Sequence, residues 1–203
     1  NALCYFFNPR RAEVSTEFPE LRYFVQALHH RFRKKTGELI FMNRNEIREF
    51  HIGGRDLIVK SFKVPNFINR IVYGLFRKSK AERSYCYAKM LNEAGIASPA
   101  PVGWLEQRRG LLFTYSYYAS LRSTCPLGYM DVISLPVEER NEYLRAIAST
   151  AARMHDHGWL HTDFSRGNIL CGRDKDGRVR VEIIDLNRIR FREVDCKTGC
   201  RNF

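Results

Sequence analysis

The segment HTDFSRGNIL (161–170) sets a histidine, an aspartate and, five residues after the aspartate, an asparagine in one polar stretch ahead of an apolar run. Two chemistries could use that set. A transition-metal site would recruit His155, Asp156, His157, His161 and Asp163. On a helix, however, His155 and His157 point to different faces. Gly158 falls inside the His157–His161 pair, whose i, i+4 spacing is the one a helical zinc site wants. Phosphoryl transfer suits the residue types better. It needs a carboxylate to orient the attacking hydroxyl or accept its proton, oxygen ligands for Mg2+, and a cation on the nucleotide phosphates. Asp163 can be the carboxylate, and Asn168 offers a neutral oxygen to a hard cation.

The remaining parts stand elsewhere in the chain. Asp185 ends the apolar run VEIIDLN, where an unpaired buried carboxylate would be expensive, so a role as second metal ligand accounts for it. Lys60 interrupts LIVKSF and wants an anionic partner. Glu82, on the first turn of the following helix, can hold it as a Lys–Glu pair. Each residue alone has a plainer explanation: a solvated strand lysine, a helix-dipole glutamate, a turn aspartate. Their order along the chain makes the combination more specific than its parts.

Periodicity places these residues on elements. Residues 18–35 read as one amphipathic helix through Phe18, Leu21, Phe24, Val25 and Leu28, ending at Gly37. Leu39–Met42, Ile47–Ile52 and Asp56–Phe62 read as strands, the last two joined at Gly53-Gly54. Residues 64–76 form an apolar helical face flanked by Arg70, Arg77, Lys78 and Lys80, either packed on the core or touching an anionic membrane. A helix over 79–94, strands at Val102–Gln107 and Leu111–Tyr117, and a helix over 137–157 follow. The inner face of that last helix is traced by Leu144, Ile147, Ala148, Ala151 and Met154. Two strands, Ile169–Cys171 and Val179–Asp185, complete the order. Strands dominate the first half and a helix leads the second, which predicts an α+β chain in two lobes.

The formal charge of +12, with basic clusters at His29–Lys35, Arg77–Arg83 and Arg188–Arg192, suits a polyanionic partner. Charge alone does not choose among nucleic acid, phosphorylated sugar, nucleotide and anionic membrane. A recognised nucleic-acid motif is lacking, so no nucleic acid is expected. No apolar run approaches the ~18–20 residues a bilayer span requires, and the apolar Asn1–Phe7 is too short for a signal peptide. The six cysteines read as reduced thiols, and Cys196-x3-Cys200 is one pair without a second.

HTDFSRGN (161–168) resembles the HxDxxxxN catalytic loop of the protein-kinase-like superfamily, and IIDLN (183–187) resembles its DFG segment. The resemblance covers roughly 38–190. Within that superfamily the chain looks most like the bacterial lipopolysaccharide core kinases of the Kdo/WaaP type. The stretches that carry this are IVKSFKVPNFINRIVYGLFRKSKAERSY (58–85), GIASPAPVGWLE (95–106), SYYASL (116–121) and GCRNF (199–203). The resemblance implies a protein-kinase-like two-lobe fold, with an antiparallel-sheet N-lobe at 38–118 after an N-terminal segment 1–37. A helical, truncated C-lobe would occupy 119–203. It implies an ATP- and Mg2+-dependent phosphotransferase acting on a sugar hydroxyl of the lipopolysaccharide inner core. Its acceptor would be a phosphorylated glycolipid, met at the cytoplasmic face of the bacterial inner membrane with peripheral contact to anionic lipid. Asp163 would be the catalytic base, Asn168 and Asp185 the Mg2+ ligands, Lys60 the contact to the nucleotide phosphates and Glu82 its partner. His161 would support the loop, and about Tyr115–Ala119 would be the hinge beside adenine.

The chain departs from the pattern in several places. No G-x-G-x-x-G precedes Lys60; the hairpin there reads MNRNE (42–46), and DFG is DLN. Ser165 stands two after the base, where many protein-kinase loops carry Lys, which favours small-molecule or glycan acceptors. No APE-like segment follows Asp185. The alternatives are another small atypical kinase, such as an aminoglycoside/choline-kinase-like or tRNA-modification-complex enzyme, and a pseudokinase or membrane-surface binding module.

Overall fold

A computed structural model of the chain describes residues 10–62, 78–109, 112–200 and 202. The expected helix over 64–76 lies outside the described residues. The chain divides into two units, Asn1–Cys86 with Ala100–Arg122 and Tyr87–Pro99 with Ser123–Phe203.

The first unit opens with a strand that periodicity did not reveal, β1 (Arg10–Val14), followed by a 3-10 turn at Pro19–Leu21. Helices α1 (Arg22–Gln26) and α2 (Leu28–Arg33) come next, then strands β2 (Glu38–Met42), β3 (Glu46–Ile52) and β4 (Arg55–Phe62). Helix α3 (Lys80–Glu93) starts in this unit, and β5 (Pro101–Arg109) and β6 (Leu112–Leu121) complete it. Residues 18–35 are thus three short helical pieces instead of one helix. Ala27, at φ −88° and ψ −2°, separates α1 from α2. The apolar spacing survives the break, because Phe18, Leu21, Phe24, Val25, Leu28 and Phe32 all enter one buried cluster.

That cluster covers one face of a six-stranded sheet in the order β1-β5-β6-β4-β3-β2, antiparallel throughout. Leu57 and Val59 of β4, Leu105 of β5 and Tyr117 and Ala119 of β6 meet the helices there. Their neighbours alternate to the other face, where Phe62 and Trp104 pack with Ala81 and Tyr85 of α3. Gly53 and Gly54 close the β3–β4 hairpin with φ of +59° and +75°, the left-handed pair a tight two-residue turn requires.

The hinge expected near Tyr115–Ala119 is corrected here. Those residues run through the middle of β6, and Ser116, Tyr117, Tyr118 and Ala119 pair with β4 on one side and β5 on the other. A strand paired on both edges has spent its backbone donors and acceptors and has none to offer a base.

The second unit contains β7 (Leu127–Gly128), α4 (Tyr129–Ile133), α5 (Val137–Asp156), β8 (Trp159–His161), β9 (Ile169–Arg173), β10 (Val179–Ile183), β11 (Ile189–Phe191) and α6 (Cys196–Cys200). Helix α5 has the signals a long helix needs: Pro136 before it, Glu138 and Glu139 in its first turn, Arg153 and His155 in its last. Gly158 ends it at φ +70°. Its buried stripe is Tyr143, Ile147, Ala151 and Met154. Leu144 is only half-buried and Ala148 is exposed, so the inner face is rotated from the expected one. The strand expected to run to Asp185 stops at Ile183.

In the first unit, His29 Nδ1 lies 3.0 Å from the Tyr117 hydroxyl. Burial, then the positive charges of Arg33, Arg10 and His30, lower the His29 pKa. The folded chain therefore binds fewer protons there than the unfolded chain. Stability should hold above about pH 6.5, the ordinary imidazole value, and fall as pH drops below it. His29→Gln keeps an acceptor for Tyr117 but cannot titrate. Urea denaturation at pH 7.5 and 5.5 should show the wild type losing more stability on acidification than the variant; equal losses would exclude the assignment.

Candidate active site

In the second unit, two antiparallel ladders position the segment that first drew attention. β8 pairs with β11, His161 opposite Ile189, and β9 pairs with β10, Ile169 opposite Ile183. The residues between the strands, 162–168 on one side and 184–188 on the other, are therefore held face to face. Hydrogen bonds join them. The Ile184 amide donates to the Asn168 carbonyl at 3.0 Å, and the Thr162 amide and hydroxyl both donate to the Arg188 carbonyl, at 3.3 and 2.9 Å. Asp163, Asn168 and Asp185 are brought into one place by this arrangement.

Each side chain is oriented by its neighbours. Asn168 Nδ2 donates to the Asp163 carbonyl at 2.8 Å and to Ser165 Oγ at 3.4 Å, which fixes the orientation of its amide and hence of Oδ1. Asp185 adopts the left-handed conformation, φ 57° and ψ 43°, at the start of the 3-10 turn Leu186–Arg188. Asp and Asn tolerate that region better than other non-glycine residues. Asn187 Nδ2 donates to Asp185 Oδ1. Asp163 Oδ2 forms an ion pair with Arg188 Nη1 at 3.4 Å.

His161 is fully buried, and burial lowers its pKa, although backbone carbonyls and the nearby Asp185 and Asp163 push the other way. The Asp163 amide donates to its Nδ1 at 3.3 Å, so the neutral ring carries its proton on Nε2. The other histidines have separate tasks. His157 stacks on Trp159 with ring centroids 4.5 Å apart, and His155 Nε2 lies 3.0 Å from Asn202 Oδ1. Among the described residues no group of three His, Cys, Asp or Glu side chains is placed to hold a metal ion.

Lys60 and Glu82 belong to the first unit and share one side of its sheet. Lys60 stands across from Ile47 and Tyr118, with Nζ 5.4 Å from the centre of the Phe62 ring on the same strand. Glu82 is in the first turn of α3, where its amide donates to the Ser79 hydroxyl at 3.1 Å, half of a capping box. Its side chain is buried. Oε1 lies 3.8 Å from Arg11 Nη2 and 3.7 Å from Lys78 Nζ, and Oε2 has no hydrogen-bond partner among the described residues. Arg11 also reaches Glu106, a second buried carboxylate, at 3.6 Å, and Arg108 approaches Glu106 at 3.3 Å.

Sequence reasoning missed Arg11, Glu106, Arg188 and Asn202. Glu106 was open to the argument applied to Asp185, an acid inside an apolar strand. Arg11 was not, because its strand has no apolar alternation to mark it.

The sequence model of the lipopolysaccharide kinase (Kdo/WaaP) family matches residues 48–203. The chain belongs to that family. It is therefore a phosphotransferase of a lipopolysaccharide kinase family. Solved structures agree on the fold. WaaP in complex with acyl carrier protein superposes with a TM-score of 0.62 at 17% identity, over 95% of this chain and 77% of that one. A Rio2 kinase–ADP/Mg2+–phosphoaspartate complex from Chaetomium thermophilum superposes with a TM-score of 0.56 at 19% identity, over 91% of this chain and 58% of that one. The fold is thus α+β and protein-kinase-like, as the motifs implied. A comparison with curated proteins finds no match. The Kdo/WaaP match includes both facing segments, 162–168 and 184–188, and begins after β1 with its Arg11.

Asn202, in the GCRNF stretch of the family match, braces the first of those segments. Its Nδ2 donates to the His161 carbonyl at 2.8 Å while its Oδ1 meets His155 at the end of α5. Asn202→Ala removes both contacts and should destabilise the second unit by about 1–2 kcal/mol, read from urea denaturation. Faster hydrogen exchange at the amides of 161–163 should accompany the loss.

Proposed function

We propose that the protein transfers the γ-phosphoryl group of ATP, with Mg2+, to a sugar hydroxyl of the lipopolysaccharide core. The observation that carries this reading is the pair of ladders that sets Asp163 and Asn168 opposite Asp185. The acceptor oxygen bonds to the γ-phosphorus, the bond to the bridging oxygen breaks with its electron pair going to ADP, and the hydroxyl proton passes to the Asp163 carboxylate. Asp163 is thus the base or hydroxyl-orienting residue. Oriented Asn168 Oδ1 and the Asp185 carboxylate form an oxygen donor set that suits a hard cation. Mg2+ held there would neutralise charge on the phosphate oxygens.

In the first unit, Lys60 contacts the nucleotide phosphates, and Glu82 keeps its second carboxylate oxygen as the partner that holds the lysine. Residues 38–118 serve as the kinase N-lobe and 119–203 as the C-lobe, after the N-terminal segment 1–37. A phosphorylated, acidic glycolipid suits a chain of charge +12. No helix among the described residues is long and apolar enough to cross a membrane. A peripheral position at the cytoplasmic face of the inner membrane would bring the protein to that acceptor.

The test is transfer of radiolabelled phosphate from ATP to deacylated lipopolysaccharide. Asp163→Asn should lower the rate by about a thousandfold with little change in melting temperature. Asp185→Asn should raise the Mg2+ concentration needed for half-maximal rate, and EDTA should stop transfer until Mg2+ is restored. An Asp163→Asn protein with full transfer would sink the mechanism. Label entering choline, an aminoglycoside or protein in preference to the glycan would move the protein to another kinase class.

A further inference from the structure

The loop 162–168 carries no lysine two residues after Asp163; Ser165 occupies that position. A phosphoryl group in transit spreads negative charge over its oxygens, and a carboxylate beside it adds more, so a cation is needed close to Asp163. The loop's own cation, Arg166, is turned away, with Nη1 3.7 Å from Met130 Sδ. Among the described residues, the cation that reaches Asp163 comes from the facing segment. Arg188 Nη1 lies 3.4 Å from Asp163 Oδ2, and the Arg188 side chain is 52% exposed.

Two features separate this contact from an incidental surface pair. The backbone of Arg188 is pinned, because its carbonyl accepts both the amide and the hydroxyl of Thr162, the residue just before Asp163. Arg188 closes the 3-10 turn that starts at Asp185 and leads directly into β11, so its position is set by the same ladder that positions the loop. The contact is also longer than the 2.7–2.9 Å of a tight charge-assisted hydrogen bond, and a guanidinium has five donors. The pair leaves most of those donors open to an anion. Such an exposed pair contributes little to folding, so stability does not account for an arginine held there.

We infer that Arg188 is a catalytic residue that binds a phosphate dianion beside Asp163, in the place of the lysine the loop lacks. The inference rests on the kinase reading above. The dianion has two possible sources, the γ-phosphoryl group being transferred and a phosphate already on the acceptor.

Transfer rates of Arg188→Gln and Arg188→Lys, with melting temperatures, test the assignment on deacylated lipopolysaccharide before and after phosphatase treatment. Arg188→Gln should lower kcat by about a hundredfold or more with an unchanged melting temperature, and Arg188→Lys should recover at least about tenfold of that loss. A defect on both acceptors identifies the transferred group as the ligand; a defect confined to the phosphorylated acceptor identifies the acceptor's phosphate. Arg188→Gln within threefold of wild type on both acceptors, or equal defects in the Gln and Lys variants, would overturn the inference. Asp163→Asn run in parallel separates the two readings. If it is inactive while Arg188→Gln is normal, only the role of Arg188 falls; if it retains full transfer, the kinase mechanism itself falls.

Discussion

Everything the second unit can do depends on two short antiparallel ladders. β8 with β11 and β9 with β10 leave two stretches of chain facing each other, and Asp163, Asn168 and Asp185 stand in those stretches. Beyond a single 3-10 turn each, at Arg166–Asn168 and Leu186–Arg188, neither stretch has regular structure to hold its own geometry. The ladders supply it by hydrogen bonding both ends of both segments, and the Ile184–Asn168 and Thr162–Arg188 bonds close the middle. A buried neutral His161 beneath the Asp163 amide adds a support that carries no competing charge. The result is a pair of carboxylates and an amide oxygen held on paired backbone, which is how an enzyme avoids reorganising its polar groups during the reaction.

The first unit solves a different electrostatic problem. Two carboxylates, Glu82 and Glu106, are buried on one side of its sheet, and burying unpaired charge is costly. Arg11 spans both, Lys78 and Arg108 add a second cation to each, and the Trp104 ring lies 5.5 Å from the Arg11 guanidinium. Strand β1 thus does more than extend the sheet. It brings to α3 the cation that makes a buried glutamate tolerable near Lys60's side of the sheet. The opposite face carries the apolar load, with the short N-terminal helices laid across it.

The amino-acid sequence alone determined the family. Residue types in a fixed order can be matched to a family before any folding is considered: here a carboxylate, an amide and a second acid at set spacings. The helix over 137–156 and strands β3 to β6 were also legible, because their apolar periods are long or their turns are marked by glycine. Short elements were not. β8 and β11 have too few residues to show a period, β1 (RRAEV) has no apolar alternation, and all three exist because a partner strand supplies their hydrogen bonds. The expected strand to Asp185 also ended early, because its last pairing is Ile183 with Ile169, and the hinge expected at Tyr115–Ala119 falls within β6, whose extent is set by pairing with β4 and β5. What only the tertiary structure decided was pairing: that Arg188 meets Asp163, that Arg11 joins Glu82 to Glu106, and that Asn202 braces His161. These contacts join residues whose separation along the chain has no regular period, so no local pattern records them. They are set by ladder register, which emerges only when strands distant in sequence bury their faces together.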